Sequence, residues 1–220
     1  MNNHNTLFYN LTQFVCDPGV RFPDLRHVAT FIWAVVGLII SQTVHLSQWA
    51  LFRAGPVRAA SKERQLSRWL HNERIQPLRV YRPLIEKVLQ EWAGKRLYLA
   101  LDTTQLWNRF VIVRLALVYR GRALPLGWVV CASRSATAAV ARYQRMLAQV
   151  AATIPPGSRV ILLADRGFLH VDLRRLAGEL GWYFRIRIKA NIWVYRATKG
   201  RRKVTALMPR PGRACFYRNV

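Results

Sequence analysis

Carboxylates are scarce in this chain: 10 Asp or Glu stand against 35 Lys or Arg in 220 residues, a formal net charge of +25 at pH 7. Cysteine is scarce too. The three thiols, Cys16, Cys131 and Cys215, are odd in number and far apart, with no Cys-x-x-Cys and no Cys/His cluster. That excludes a disulfide framework and a zinc site, and it fits a reducing cytoplasm in which Cys131 is a small core residue on a strand. The histidines, at 4, 27, 45, 71 and 170, form no His-Glu-x-x-His pattern and read as structural or surface residues. No phosphate-cradling Gly-x4-Gly-Lys-[Ser/Thr] string occurs, so a nucleotide-driven motor is not supported. Long apolar runs are missing as well. The longest stretch, VATFIWAVVGLII at 28–40, falls short of the roughly twenty residues needed to span a bilayer, and Ser41, Gln42, Thr43 and His45 follow at once. It lacks a basic flank and a small-residue cleavage site, so it is not a signal peptide. A buried helix is expected there, and no membrane association.

What the chain does have is arginine. Only six of its basic residues are Lys, at 62, 87, 95, 189, 199 and 203. Guanidinium forks pair bidentately with phosphates and stack on bases. With 8 Trp and 8 Tyr interleaved, the expected partner is nucleic acid. High-GC coding drift would explain Arg in place of Lys, but not the shortage of acids. A hydrophobic fraction of 52% supports a real core, and the length fits one domain, or one domain with a helical appendage.

Four segments follow from patterning. Residues 1–27, with Pro18, Gly19 and Pro23, read as an irregular arm. Residues 28–94 read as helical. One helix is expected over about 28–53, ended by Gly55-Pro56, and a second over about 61–75, capped by Ser61 with an apolar stripe of Leu66, Trp69 and Leu70. A third covers about 81–93, with Leu84, Ile85, Val88, Leu89 and Trp92 inward. Residues 95–195 read as an α/β core. Strands are expected at 96–101, 109–119 and 123–131, the last two joined by a tight turn at Gly121-Arg122. A helix at 137–154, a break at Pro155-Pro156-Gly157, a strand at 159–165, a helix at 169–181 and a fifth strand at 182–195 complete the order βββαβαβ. Residues 196–220 are the fourth segment.

Two strings end an apolar strand on an acid: LALDTT at 99–104 and LLADRGF at 162–168. Right-handed crossovers through helices make strand four parallel to strand one. If those two strands are neighbours, Asp102 and Asp165 end adjacent strands at one edge of the sheet, where open α/β sheets place their chemistry. Oxygen ligands without Cys or His suit Mg²⁺ or Mn²⁺, which can activate an attacking oxygen at a phosphodiester. The alternative is that each Asp only caps a turn.

These strings, with RLALVYRGRALPLGW at 114–128 between them, resemble bacterial insertion-sequence transposases of the DDE type. The resemblance runs from the apolar helix near residue 28 to the chain end. It implies a ribonuclease-H-like mixed sheet preceded by a helical DNA-binding region, and a metal-dependent enzyme that cuts and joins DNA. Asp102 and Asp165 match the first two catalytic, metal-binding acids of the family, in the subgroup marked by ADRGF, with Mg²⁺ (or Mn²⁺) as cofactor. The family's third acid is a Glu in a Tyr-x2-Arg-x3-Glu-x6-Lys pattern, on a helix reached after a β-rich insertion, and the resemblance implies that residues 196–220 are the start of that insertion, cut short. No residue here matches it, and no carboxylate side chain follows Glu179. Glu179 and Asp172 lie on the helix before strand five and do not fit. The expectation is a transposase truncated at its C-terminus or completed elsewhere. From a different class comes a non-catalytic remnant or inhibitor that occupies transposon ends.

Candidate DNA contacts are Arg64, Arg68, Arg74 and Arg79 in the helical region, Arg166 beside the second acid, and Arg185, Arg187 and Lys189, expected to alternate on one face of strand five. From Leu180 onward the chain carries eleven Lys or Arg. For each cation the alternative is a solvated surface. The implied partners are transposon-end and target DNA, with a second copy or a full-length transposase, in a bacterial cytoplasm at the nucleoid.

Overall fold

The computed structural model describes residues 3–17, 22, 24–133, 138–196 and 200–216. The chain divides into two units, Met1–Glu91 and Trp92–Val220, a boundary three residues before the one the patterning suggests.

The first unit is helical: α1 (Asn3–Cys16), α2 (Leu25–Ser41), α3 (Leu46–Leu51), α4 (Ala59–Leu70) and α5 (Pro77–Gln90). Helix α1 occupies most of the stretch expected to be irregular. Its Leu7, Phe8, Leu11 and Val15 recur at helical spacing and pack with Ile32 and Val36 of α2, and Phe8 stacks on Trp33 at 4.5 Å between ring centroids. A polar composition hid this apolar stripe. Helix α2 starts at Asp24, whose carboxylate accepts from the Arg26 backbone N–H at 2.8 Å. The long helix expected over 28–53 is two helices. Gln42 turns left-handed at φ 52 and its N–H closes on Leu38 O, while Ser41 Oγ accepts from the Thr43 N–H at 3.4 Å. Polar side chains bonding to the local backbone compete with helix continuation. Helix α3 then folds back so that a Cβ built on Gly37 would lie 2.7 Å from Trp49 Cβ. Helix α4 begins at Ala59, so Ser61 is inside it and Arg58 is the cap residue. Leu66 faces inward but Leu70 is exposed. Helix α5 opens on Pro77, whose missing N–H costs nothing in a first turn, and buries Val80, Ile85 and Leu89. Among the described residues no helix is long and apolar enough to cross a membrane.

The second unit holds a five-stranded mixed sheet, β1 (Arg96–Leu106), β2 (Phe110–Tyr119), β3 (Arg122–Ala132), β4 (Arg159–Ala164) and β5 (Tyr183–Ile186), in the order β3-β2-β1-β4-β5. The hairpin β2–β3 turns through Arg120 (φ 48) and Gly121 (φ 73), the paired left-handed residues that match strand twist. Strands β1 and β4 are neighbours and parallel, as are β4 and β5. The chain is thus α/β, with a mixed sheet following a helical region. Residues 97, 99 and 101 of β1, 111, 113, 115 and 117 of β2, and 160 and 162 of β4 form one almost fully buried face. Each such aliphatic side chain contributes roughly 1.5–3 kcal/mol through burial. Helix α6 (Val140–Ala151) covers this face at β3, where Gly127 leaves room for Met146 and Val150. Its Tyr143 meets Phe168 edge-on at 6.0 Å, ahead of α7 (Val171–Glu179). Cys131 is buried on β3.

Strand β1 runs five residues past the expected end, because β2 continues to pair with it as far as Leu106↔Phe110. The long fifth strand expected over 182–195 is interrupted instead. Strand β4 stops at Ala164 and offers no further ladder, so β5 ends at Ile186; a turn closed by Ile192 N–H to Lys189 O follows. The chain then forms a separate two-stranded ribbon, β6 (Trp193–Arg196) with β7 (Gly200–Lys203). Residues 217–220, part of the expected β-rich segment, lie outside the described residues.

Candidate active site

The parallel ladder of β1 and β4 pairs Leu97 with Val160, Leu99 with Leu162, and finally Leu101 with Ala164. The next residue on each strand is an acid, Asp102 and Asp165. Asp165 keeps an extended backbone at φ −79, ψ 170 before the 3₁₀ turn Arg166–Phe168, so the pleat carries on and both carboxylates project from the same face. Neighbouring strands lie about 4.8 Å apart, the spacing at the last pair of the ladder, Leu101 with Ala164, from which both acids follow. The apolar runs end here because the core ends here: Leu101 and Ala164 are buried, while Asp102 and Asp165 are exposed.

The two acids differ in their local bonds. Asp102 Oδ1 accepts from the Thr103 N–H at 2.8 Å, a contact between neighbours within β1. Asp165 precedes a helical turn, but its side chain makes no capping bond; its backbone oxygen serves instead, accepting from the Phe168 N–H at 2.9 Å. The capping alternative therefore does not account for the Asp165 carboxylate. Its contact is with Arg187, whose Nη1 lies 3.7 Å from Asp165 Oδ1. Arg187 sits just past β5, where its N–H still bonds Ala164 O at 3.0 Å.

The ladders on the other side extend this row. Asp102 pairs with Arg114 of β2, and Arg114 with Trp128 of β3. Read across the sheet, Trp128, Arg114, Asp102, Asp165 and Arg187 stand side by side, two carboxylates between two guanidinium groups. Arg114 was not among the residues the sequence marked; the hairpin register that brings it beside Asp102 is its only signal. Among the described residues no group of three or more His, Cys, Asp or Glu is placed to hold a metal. Asp172 pairs instead with Arg175 on α7 at 3.3 Å, and Glu179 ends that helix. An exposed pair of oxygen donors nonetheless suits Mg²⁺ or Mn²⁺, since such ions often take one or two protein carboxylates and keep several waters.

The predicted cations are distributed over both units. Arg64 and Arg68 are exposed on α4, Arg74 in the turn that follows and Arg79 on α5. In the second unit Arg166 is exposed directly after Asp165, and Arg185 is exposed on β5. Lys189 does not continue the face of β5, because the strand has ended and the residue begins a turn. The chain matches no protein-family model and no curated protein.

Proposed function

We propose that this chain is a DNA transposase of the DDE type, with the second unit as a ribonuclease-H-like catalytic domain and the first as its DNA-binding region. The observation that carries the reading is the placement of Asp102 and Asp165 one step past the last pair of a parallel ladder, on one face. Strand order β3-β2-β1-β4-β5 and the LALDTT and ADRGF strings support it, as does a net charge of +25. Asp102 and Asp165 would hold a divalent cation, Mg²⁺ or Mn²⁺, which supplies charge neutralisation at a phosphodiester and a nucleophile at neutral pH. The side chains do the rest. The two carboxylates provide the negative donor oxygens, and Arg114 and Arg187 balance that charge and bracket a phosphate laid across the row.

The second reading, a protein that binds transposon ends without cutting them, is favoured by one observation: carboxylate side chains stop at Glu179. One experiment separates the two. Incubation with supercoiled DNA in Mg²⁺ and then Mn²⁺ should give nicking or joining that falls at least ~100-fold in Asp165→Ala, with DNA retention unchanged. Retention without metal-dependent cleavage in the natural chain would reject the enzyme and keep the binder.

A further inference from the structure

A second cationic site lies on the same face of the sheet, at the opposite end of β4. A cavity of about 260 Å³ there is lined by Arg96, Arg159, Ile161, Tyr183, Phe184 and Arg185. Arg96 and Arg159 are direct partners in the parallel ladder, so two arginines occupy neighbouring positions with no acid in the lining. Like charges placed directly opposite destabilise a sheet, and an anion seated between them reverses the sign. The Arg159 guanidinium lies 4.4 Å from the centroid of the Tyr183 ring, a cation–π contact that holds it over the aromatic face. Arg185, two residues along β5 from Tyr183, closes the third side.

We propose that this cavity is a docking pocket for a backbone phosphate of DNA, and that it fixes how a strand lies relative to the Asp102–Asp165 pair. The inference rests on the nucleic-acid reading given above. Its chemistry is that of a phosphate clamp: guanidinium forks match phosphate oxygens bidentately, and Ile161, Tyr183 and Phe184 offer apolar surface to the adjoining sugar or base. The distance is also set. Arg159 and Asp165 are an even number of residues apart on β4, hence on one face, and about 20 Å apart at 3.3 Å per residue. Arg185, paired with Leu163, lies between them. A strand held at the pocket passes Arg185 on its way to the carboxylates.

The test is the salt dependence of duplex binding by the full chain. Fluorescence anisotropy with a labelled 30-base-pair duplex, from 50 to 300 mM NaCl, gives the slope of log Kd against log salt, about 0.9 for each phosphate neutralised. Arg96→Gln with Arg159→Gln should weaken binding at least about tenfold and lower the slope by about 0.9, the share of the one phosphate seated there. The charge-matched control, Arg142→Gln with Arg145→Gln, exposed on α6 across the sheet from the pocket, should change affinity less than about threefold. Arg159→Lys keeps the charge and loses the fork, so it should keep the slope while losing affinity. Thermal melts verify that each variant is folded. A pocket variant indistinguishable from the α6 control overturns the pocket and leaves the nucleic-acid reading standing. A natural chain that binds no duplex at 50 mM NaCl overturns both.

Discussion

Arg187 reaches Asp165 across the end of the parallel ladder, its Nη1 3.7 Å from Asp165 Oδ1, with the two side chains 84% and 55% exposed. At that exposure and distance the contact is worth 0 to about 1 kcal/mol, so a divalent ion can displace the guanidinium at little cost. Arg187→Ala is expected to tighten Mn²⁺ binding by up to about fivefold, with the gain shrinking at high salt as screening shortens to about 3 Å. Asp102→Asn and Asp165→Asn should each weaken it at least about tenfold. Isothermal titration with Mn²⁺ measures all three. Equal affinity in both Asn variants and the natural chain would mean that the pair holds no metal.

A second prediction concerns Tyr143. It is fully buried, and its hydroxyl has no hydrogen-bond partner among the described residues. Burial pushes its pKa up from 10.0 to about 12. The unfolded chain therefore loses this proton first, and stability falls as pH rises from 10 towards 12. Below pH 10 the contribution is fully present; by pH 12 roughly 2–3 kcal/mol is gone. Tyr143→Phe should abolish that loss, and at pH 8 it should be neutral or stabilising by up to about 1 kcal/mol, because an unpaired buried hydroxyl is removed. Urea unfolding at pH 8 and pH 11 decides it; a destabilised Phe variant at pH 8 would reveal a hydroxyl partner.

Gly37 offers a third. An added Cβ would meet Trp49 Cβ at 2.7 Å and Trp49 Cα at 2.8 Å. Backbone cannot swing aside as a long side chain can, so Gly37→Ala should cost about 1–3 kcal/mol. Gly178→Ala on α7 is the counterpart, with no atom within 4 Å of the built Cβ. It should be stabilising by about 0.5–1 kcal/mol, the ordinary gain over Gly in a helix. Paired thermal melts test both signs.

Much of the sheet was legible because its signals are local. Apolar β-branched runs at 110–119 and 159–164 and the glycine turn at 121 each specify their own element. The crossover rule then sets strand direction, and the adjacency of β1 and β4 brought two distant acids to neighbouring positions, although Asp102 lies inside β1, which runs on to Leu106, and does not end it. What failed needed partners to be known. Where α3 lies after the local break at Gln42 depends on Trp49 packing against Gly37, and α1 is worth forming only because Ile32 and Val36 are there to cover it. The early end of β5 follows from the length of β4, which no residue of 182–195 records. Arg114 and Arg159 were missed for the same reason: each is unremarkable on its own strand and gains meaning only from the residue beside it.

Among the described residues strand β5 pairs with β4 alone and leaves its other side open, with Tyr183 55% and Phe184 43% exposed. Open edges of this kind invite a second copy to add its own strand, and charge is the usual defence. Here the defence is mutual repulsion between highly cationic molecules, which makes colloidal behaviour depend on what else is in the tube. A chain of net charge +25 is balanced by about a dozen base pairs of duplex, which carry two phosphates per pair. Near that ratio repulsion vanishes and the edge is free to associate. Mixtures with short DNA should be clear in excess of either component and turbid in between, and any preparation of the complex should be brought through that window quickly, with DNA in excess.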